Sequence, residues 1–265
     1  PSGSFTGLGP GFYNVQMRDA DHQSCVTILN GSLRITEPPV LAAMVSRTNI
    51  TCFGSNDGTI TIYAASGGYG RYEYNIGTIA GWQSTGSFTG LGPGTYIVML
   101  RDADNPDCLV TLGSPVVITE PGILSATVVS TMVTCRDAAD GTITISSPAG
   151  GSGFYMYSIT GGDPWQGSGI FNNLAPGTYD VRIRDAVNLN CAVILNSNVV
   201  ITQPEALRAS ITSTNVSCYG GNDGTITING AAGGYGTYEY SINGGGSWNA
   251  TGIFTGLTPG SYNIM

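Results

Sequence analysis

"GSFTGLGPGTYIVMLRDAD", residues 86–104, is the stretch from which the rest of the chain can be read. It stands at 3–21 as "GSFTGLGPGFYNVQMRDAD" and at 169–187 as "GIFNNLAPGTYDVRIRDAV", and it begins again at 252–265 as "GIFTGLTPGSYNIM". The second half alternates. In the third copy Tyr179, Val181 and Ile183 point one way and Asp180, Arg182 and Arg184 the other. That is the period of a strand with one face on a core and the other in water. In the first half, L-x-P-G-x-Y, Pro and Gly make a turn and Tyr opens the next strand.

The copies lie on a fixed period of 83 residues. Cys52, Cys135 and Cys218 keep it, as do Cys25, Cys108 and Cys191, the three Trp (Trp82, Trp165, Trp248), and Tyr13, Tyr96, Tyr179 and Tyr262. Such a repeat governs the architecture. Pro38, Pro121 and Pro204 close the phrases "TEP", "TEP" and "TQP" and mark the boundaries, because Pro ends strand pairing. The units are therefore 1–38, the C-terminal part of a first repeat; 39–121 and 122–204, two complete repeats; and 205–265, the N-terminal part of a further one. The chain begins and ends in mid-phrase and reads as a piece of something longer. Within 122–204, five segments alternate clearly, and two weaker strands are expected near "DPWQGS" and "GIFNNL". Seven short strands in such a length make an all-β immunoglobulin-like sandwich, and L-x-P-G-x-Y matches its tyrosine corner between strands E and F. Tandem sandwiches on an invariant step with almost no linker imply a linear, rod-like array. Transferring the alternation to 39–121 puts Leu41, Val45, Ile60, Ile62, Tyr72, Tyr74, Ile76, Tyr96, Val98, Leu100, Val116 and Ile118 in the core, with Ile97 and Met99 facing out.

Composition excludes several classes of function. Net charge is −8, only 10% of residues are charged, and all nine basic residues are Arg. An acidic surface without Lys argues against nucleic acid and anionic membranes as partners. It also rules out Lys–Asn isopeptide cross-links. There is no apolar run long enough to insert in a membrane. An enzyme needs a localised set of unlike groups. The single His22 has Asn105 and Asn188 as its counterparts, and "GLGPG" leads into a strand, so it is no phosphate cradle. The chain reads as non-enzymatic.

The ordered set "CFGSNDGTITI", "GGYGRYEY", "LGPGTY", "RDAD", Cys108 and "ITEP" resembles the SprB repeat, with matching sets one period away. The residues that carry the likeness are Cys52, Gly54, Asn56, Asp57, Gly58, Gly67, Gly68, Tyr72, Tyr74, Leu91, Gly94, Tyr96, Asp102, Cys108 and Pro121. The middle unit departs, with "CRDAADG" for "CFGSNDG" and Ser152 for the Tyr of "GGYG". That family builds large surface adhesins of gliding Bacteroidetes. The resemblance implies a secreted, type IX-exported, surface-attached filament, extracellular and concerned with adhesion or gliding motility.

Acidic turns are candidate calcium ligands, the one cofactor the chain suggests: Asp57, Asp140 and Asp223 at the A–B turn, and Asp102, Asp104 and Asp185 at the F–G turn. The plainer reading is that these side chains satisfy turn backbone. Trp82, Trp165, Trp248, Tyr69 and Tyr235 sit in glycine-rich loops and are candidate glycan contacts, while Tyr72, Tyr74 and Tyr96 belong to the core. Asn30, Asn49, Asn215 and Asn249 lie in N-x-[ST] sequons.

Two cysteines per unit in an exported protein are expected in disulfides. The default pairing is within a repeat, Cys52–Cys108 and Cys135–Cys191. Against it, the strand directions put Cys52 at one end of its sandwich and Cys108 at the other, roughly 30–40 Å away, whereas bridged Cα atoms lie within roughly 7 Å. The same directions favour a Cys52–Cys191 bond stapling consecutive repeats, with Cys25, Cys135 and Cys218 partnered outside the chain. The intra-repeat pairs stay open as the alternative. The function expected is a stalk segment of an adhesive filament whose partners are neighbouring repeats of the same chain, with affinity built from many weak contacts. The alternatives are a carbohydrate-binding array on the loop aromatics, and a self-assembling sheath or surface layer in which copies of the filament meet at exposed pairs such as Ile97 and Met99.

Overall fold

The computed structural model describes residues 3–77 and 81–265, which form nineteen strands and no helix. The chain divides into two compact units, Pro1–Glu120 and Pro121–Met265.

In the first unit, β1 (Gly11–Arg18) and β2 (Val26–Ile35) form an antiparallel hairpin. There follow β3 (Ala42–Thr48), β4 (Gly58–Ser66), β5 (Tyr72–Asn75), β6 (Ser87–Leu91), β7 (Gly94–Tyr96), β8 (Met99–Asp102), β9 (Leu109–Thr111) and β10 (Val116–Ile118). They pair as β3-β4-β6, β5-β8-β9 and β10-β7. The second unit holds β11 (Ser125–Thr131), β12 (Gly141–Ala149), β13 (Tyr155–Ser158), β14 (Ile170–Leu174), β15 (Gly177–Asp185) and β16 (Ala192–Ile201), then β17 (Arg208–Thr214), β18 (Gly224–Ala232) and β19 (Ile253–Leu257). Here the sheets are β11-β12-β14, β13-β15-β16 and β17-β18-β19. Each complete repeat is thus a sandwich of an A-B-E sheet and a C-F-G sheet, the immunoglobulin-like arrangement.

The strand count is six where seven were expected. "GIFNNL" is strand E, but "DPWQGS" contributes only a lone bridge between Tyr157 and Gln166. Gly161 and Gly162 interrupt it, Pro164 has no N–H to donate, and Gln166 turns its side-chain amide to the carbonyls of Ser168 and Ile170. The irregular connection still crosses from one end of the sandwich to the other, so strands F and G keep the directions expected of them. In 39–121 strands F and G are each cut in two. Pro115 stands where the later repeat has Asn198, whose N–H bonds the Asn196 side chain, and a Pro cannot make that bond.

All twelve residues expected in the core of 39–121 are found there. Leu41, Ile60, Ile62, Ile76, Tyr96, Val98, Leu100 and Ile118 are buried, and Val45, Tyr72, Tyr74 and Val116 pack against them. Ile97 is exposed and Met99 half-buried on the outer face. The core also takes Ile50, Phe88 and Leu112, which lie at strand edges where alternation gives no signal. Gly58 opens strand B because its neighbours leave no room: a Cβ there would lie 2.8 Å from the Ile118 side chain and 2.9 Å from the Leu91 carbonyl. The tyrosine corner is formed four times. Tyr13, Tyr96, Tyr179 and Tyr262 each donate the phenol to the carbonyl four residues back, at 2.7–2.8 Å.

Candidate functional site

The chemistry of each repeat gathers at its two ends. The A–B turn carries Cys52 or Cys135. In 39–121 the Asp57 carboxylate accepts from the Thr51 N–H at 2.9 Å and from its hydroxyl. Asp140 takes the same pair from Thr134, and Asp223 accepts from the Ser217 N–H at 2.9 Å. The hydroxyl bond, with the N–H behind it, holds all three carboxyls below their ordinary range. The loop is also tied to the end of strand G. The Gly54 N–H donates to Glu120 Oε2 at 3.0 Å, and the Asp137 N–H to Gln203 Oε1 at 2.8 Å. This accounts for the interchange of Glu and Gln before the boundary Pro: only a side-chain carbonyl-type oxygen is needed, and both residues supply one. In the sequence this position marks only a unit boundary, and the Glu/Gln interchange is the one local sign of its role.

At the opposite end, the F–G turn meets the glycine-rich B–C turn through one buried carboxylate. Asp102 Oδ2 accepts from the Tyr69 N–H at 2.5 Å, and Oδ1 from the N–H groups of Asp104 and Asn105 at 2.9 and 3.0 Å. Asp185 is held the same way by Ser152, Val187 and Asn188. The Tyr69 N–H above all sets Asp102 low. Burial pushes Asp185 up, but its N–H and hydroxyl donors together outweigh that and leave it lowered. Asp104 is engaged by Arg71 at 2.6 Å. The six candidate calcium ligands therefore face donors in the protein, and in each complete repeat the A–B aspartate lies at the end opposite the F–G aspartates. Among the described residues no group of three or more His, Cys, Asp or Glu side chains converges as a metal would require.

Trp82 and Trp165 are not free loop platforms. Arg101 lies 4.5 Å over the Trp82 ring and Arg184 4.5 Å over Trp165. Arg101 is in turn paired with Glu73 at 2.6 Å. Trp248 and Tyr69 are exposed, and Tyr235 donates its phenol to the Val133 carbonyl. Arg101 and Arg184 are strand positions that alternation places on the outer face, and no local pattern names their partners.

Cys52 and Cys191 are disulfide-bonded, whereas Cys25, Cys108, Cys135 and Cys218 are free and exposed thiols. The intra-repeat pairs Cys52–Cys108 and Cys135–Cys191 are not formed. Within each repeat the two positions lie on turns at opposite ends of the sandwich, which a bridge cannot span.

The SprB repeat family model matches residues 45–81, 127–164 and 210–247. The chain carries three SprB repeats. The matches run from strand A through the A–B turn and strand B to the glycine-rich B–C turn and strand C, and end before the F–G turn. SprB repeats belong to cell-surface proteins and form a structural family, not an enzyme family. A comparison with curated proteins finds no match. No helix among the described residues is long and apolar enough to cross a membrane.

Proposed function

We propose that this SprB array is a load-bearing stalk segment of a secreted cell-surface adhesin filament, in which a Cys52–Cys191 disulfide staples consecutive repeats. The observation that carries it is the redox pattern: Cys52 and Cys191 are oxidised while Cys108 and Cys135, their partners in any intra-repeat scheme, are free. The strand directions expected from the sequence favour that pair over the intra-repeat ones, which would have to span a whole sandwich. A covalent link there carries tension past the fold of each repeat. The array acts as a mechanical spacer, and adhesion arises from many weak contacts displayed along it.

Two measurements test this on the whole chain. Non-reducing peptide mapping should return a Cys52/Cys191 peptide, and a Cys52/Cys108 peptide would overturn the staple. When the chain is pulled by its ends, reduction should add about 450–500 Å of extension, the length of the residues the bond shields. An unchanged extension would show that no load passes through it.

A further inference from the structure

We propose that the tyrosine of the glycine-rich turn is a latch that locks each repeat carrying it to the A–B end of the repeat before. The inference deepens the filament reading above and rests on it for its mechanical consequence. The contact is seen inside the second unit, where Tyr235 of 205–265 donates its phenol to the Val133 carbonyl of 122–204 at 2.9 Å, across 102 residues of sequence.

Both sides of the contact are fixed in advance. Val133 is fully buried, its own N–H donates to the Thr202 carbonyl at 3.2 Å, and the next N–H, that of Thr134, is held by Asp140. The acceptor carbonyl therefore cannot drift. On the other side, Gly233, Gly234 and Gly236 all have positive φ (84°, 59° and 87°), and the same three values recur within a few degrees at Gly67, Gly68 and Gly70. A side chain at Gly233 would collide with the Ala206 carbonyl, and the Gly234 N–H bonds the Glu205 carbonyl at 2.9 Å. The turn is thus a stiff bracket rooted in the first residues after Pro204.

Together these bonds close a ring around the junction. Val133 is tied to Thr202, the chain runs through Gln203 and Pro204 to Glu205, Glu205 holds Gly234, and Tyr235 returns to Val133. Gln203 is itself clamped by the Asp137 N–H. The only free torsions between the two repeats lie in this short linker, and the phenol closes the circuit that holds them. In the middle repeat the equivalent residue is Ser152, whose hydroxyl turns inward to Asp185 at 2.8 Å. A serine on this bracket braces its own turn and has no reach beyond it. One position, Tyr or Ser, therefore sets whether a repeat is latched to its predecessor.

The test uses the full chain and the variants Tyr235→Phe and Tyr235→Ser, which alter an exposed side chain and leave the glycine bracket intact. Residual dipolar couplings of amides in 122–202 and 205–265 should fit one alignment tensor in the parent chain. In both variants the tensors should separate, and the Val133 carbonyl 13C resonance should move upfield. A shared tensor and an unmoved Val133 carbonyl in the variants would overturn the latch. Failure of the Cys52/Cys191 peptide map would leave these couplings untouched, so the two proposals fail separately.

Discussion

Asp102 shows how one residue does the work of a turn. Its buried carboxylate satisfies N–H groups from two separate loops, and without it those donors would lose their partners in the interior. Asp185 repeats the arrangement in the next sandwich. Each is more acidic folded than unfolded. The stability it contributes is therefore complete above the ordinary carboxylate value of about 3.9 and is lost as the pH falls through the lower folded value. Thermal melts followed by circular dichroism should be flat from about pH 7 to 5 and fall below about pH 4. Asp102→Asn should melt lower at neutral pH and lose part of the acid dependence, because an amide puts a donor where one of the N–H groups needs an acceptor. An unchanged acid limb in that variant would remove Asp102 from the argument. Asp at this position is visible in the sequence as a turn residue. That it is buried, and that it joins two loops 33 residues apart, is not.

At the scale of the element, strand B shows a local conflict that another repeat resolves. Its pairing with strand A slips between Ala42 and Met44, and Ala64 opposite the slip has φ of 54°. Ser147 (52°) and Gly230 (62°) occupy the same place in the later repeats. A β-carbon in the left-handed region costs about 1–2 kcal/mol, part of which glycine gives back in unfolded-state entropy. Ala64 is exposed, so its methyl group fills no cavity. Ala64→Gly should therefore stabilise the first unit by about 0.5–1 kcal/mol, read from native-state hydrogen exchange of strand B amides. A loss of protection would mean that the bulge is held by something other than its φ. Period-two alternation identified strand B and its buried face correctly, since Ile60 and Ile62 are both in the core. The bulge escaped it because an extra residue leaves no mark in a pattern of apolar and polar positions.

For the whole molecule, the proposed staple closes a loop of more than a hundred residues. Chain entropy alone assigns such a bond about 5 kcal/mol against the unfolded state. Thermal melting should fall on reduction in the parent chain, and a Cys52→Ser/Cys191→Ser variant should melt at the reduced value with or without reductant. Cys108→Ser should behave as the parent does. A reductant effect that survives in the double variant would place the relevant bond elsewhere.

The sequence by itself determined the period, the all-β class, the sandwich register and the corner tyrosines, because each depends on neighbours a few residues apart: alternation along a strand, or a phenol reaching four residues back. It also argued against bridging Cys52 to Cys108, since strand directions follow from counting turns. Only the tertiary structure decided what the ends of the sandwiches hold. Glu120 and Gln203 reach loops 66 residues away, Arg101 and Arg184 cover Trp82 and Trp165, and Tyr235 finds a carbonyl 102 residues back. These pairings are fixed by how finished sheets fold over and abut one another. A hydrogen bond to a main-chain group leaves no signature in the identity of the residue that accepts it.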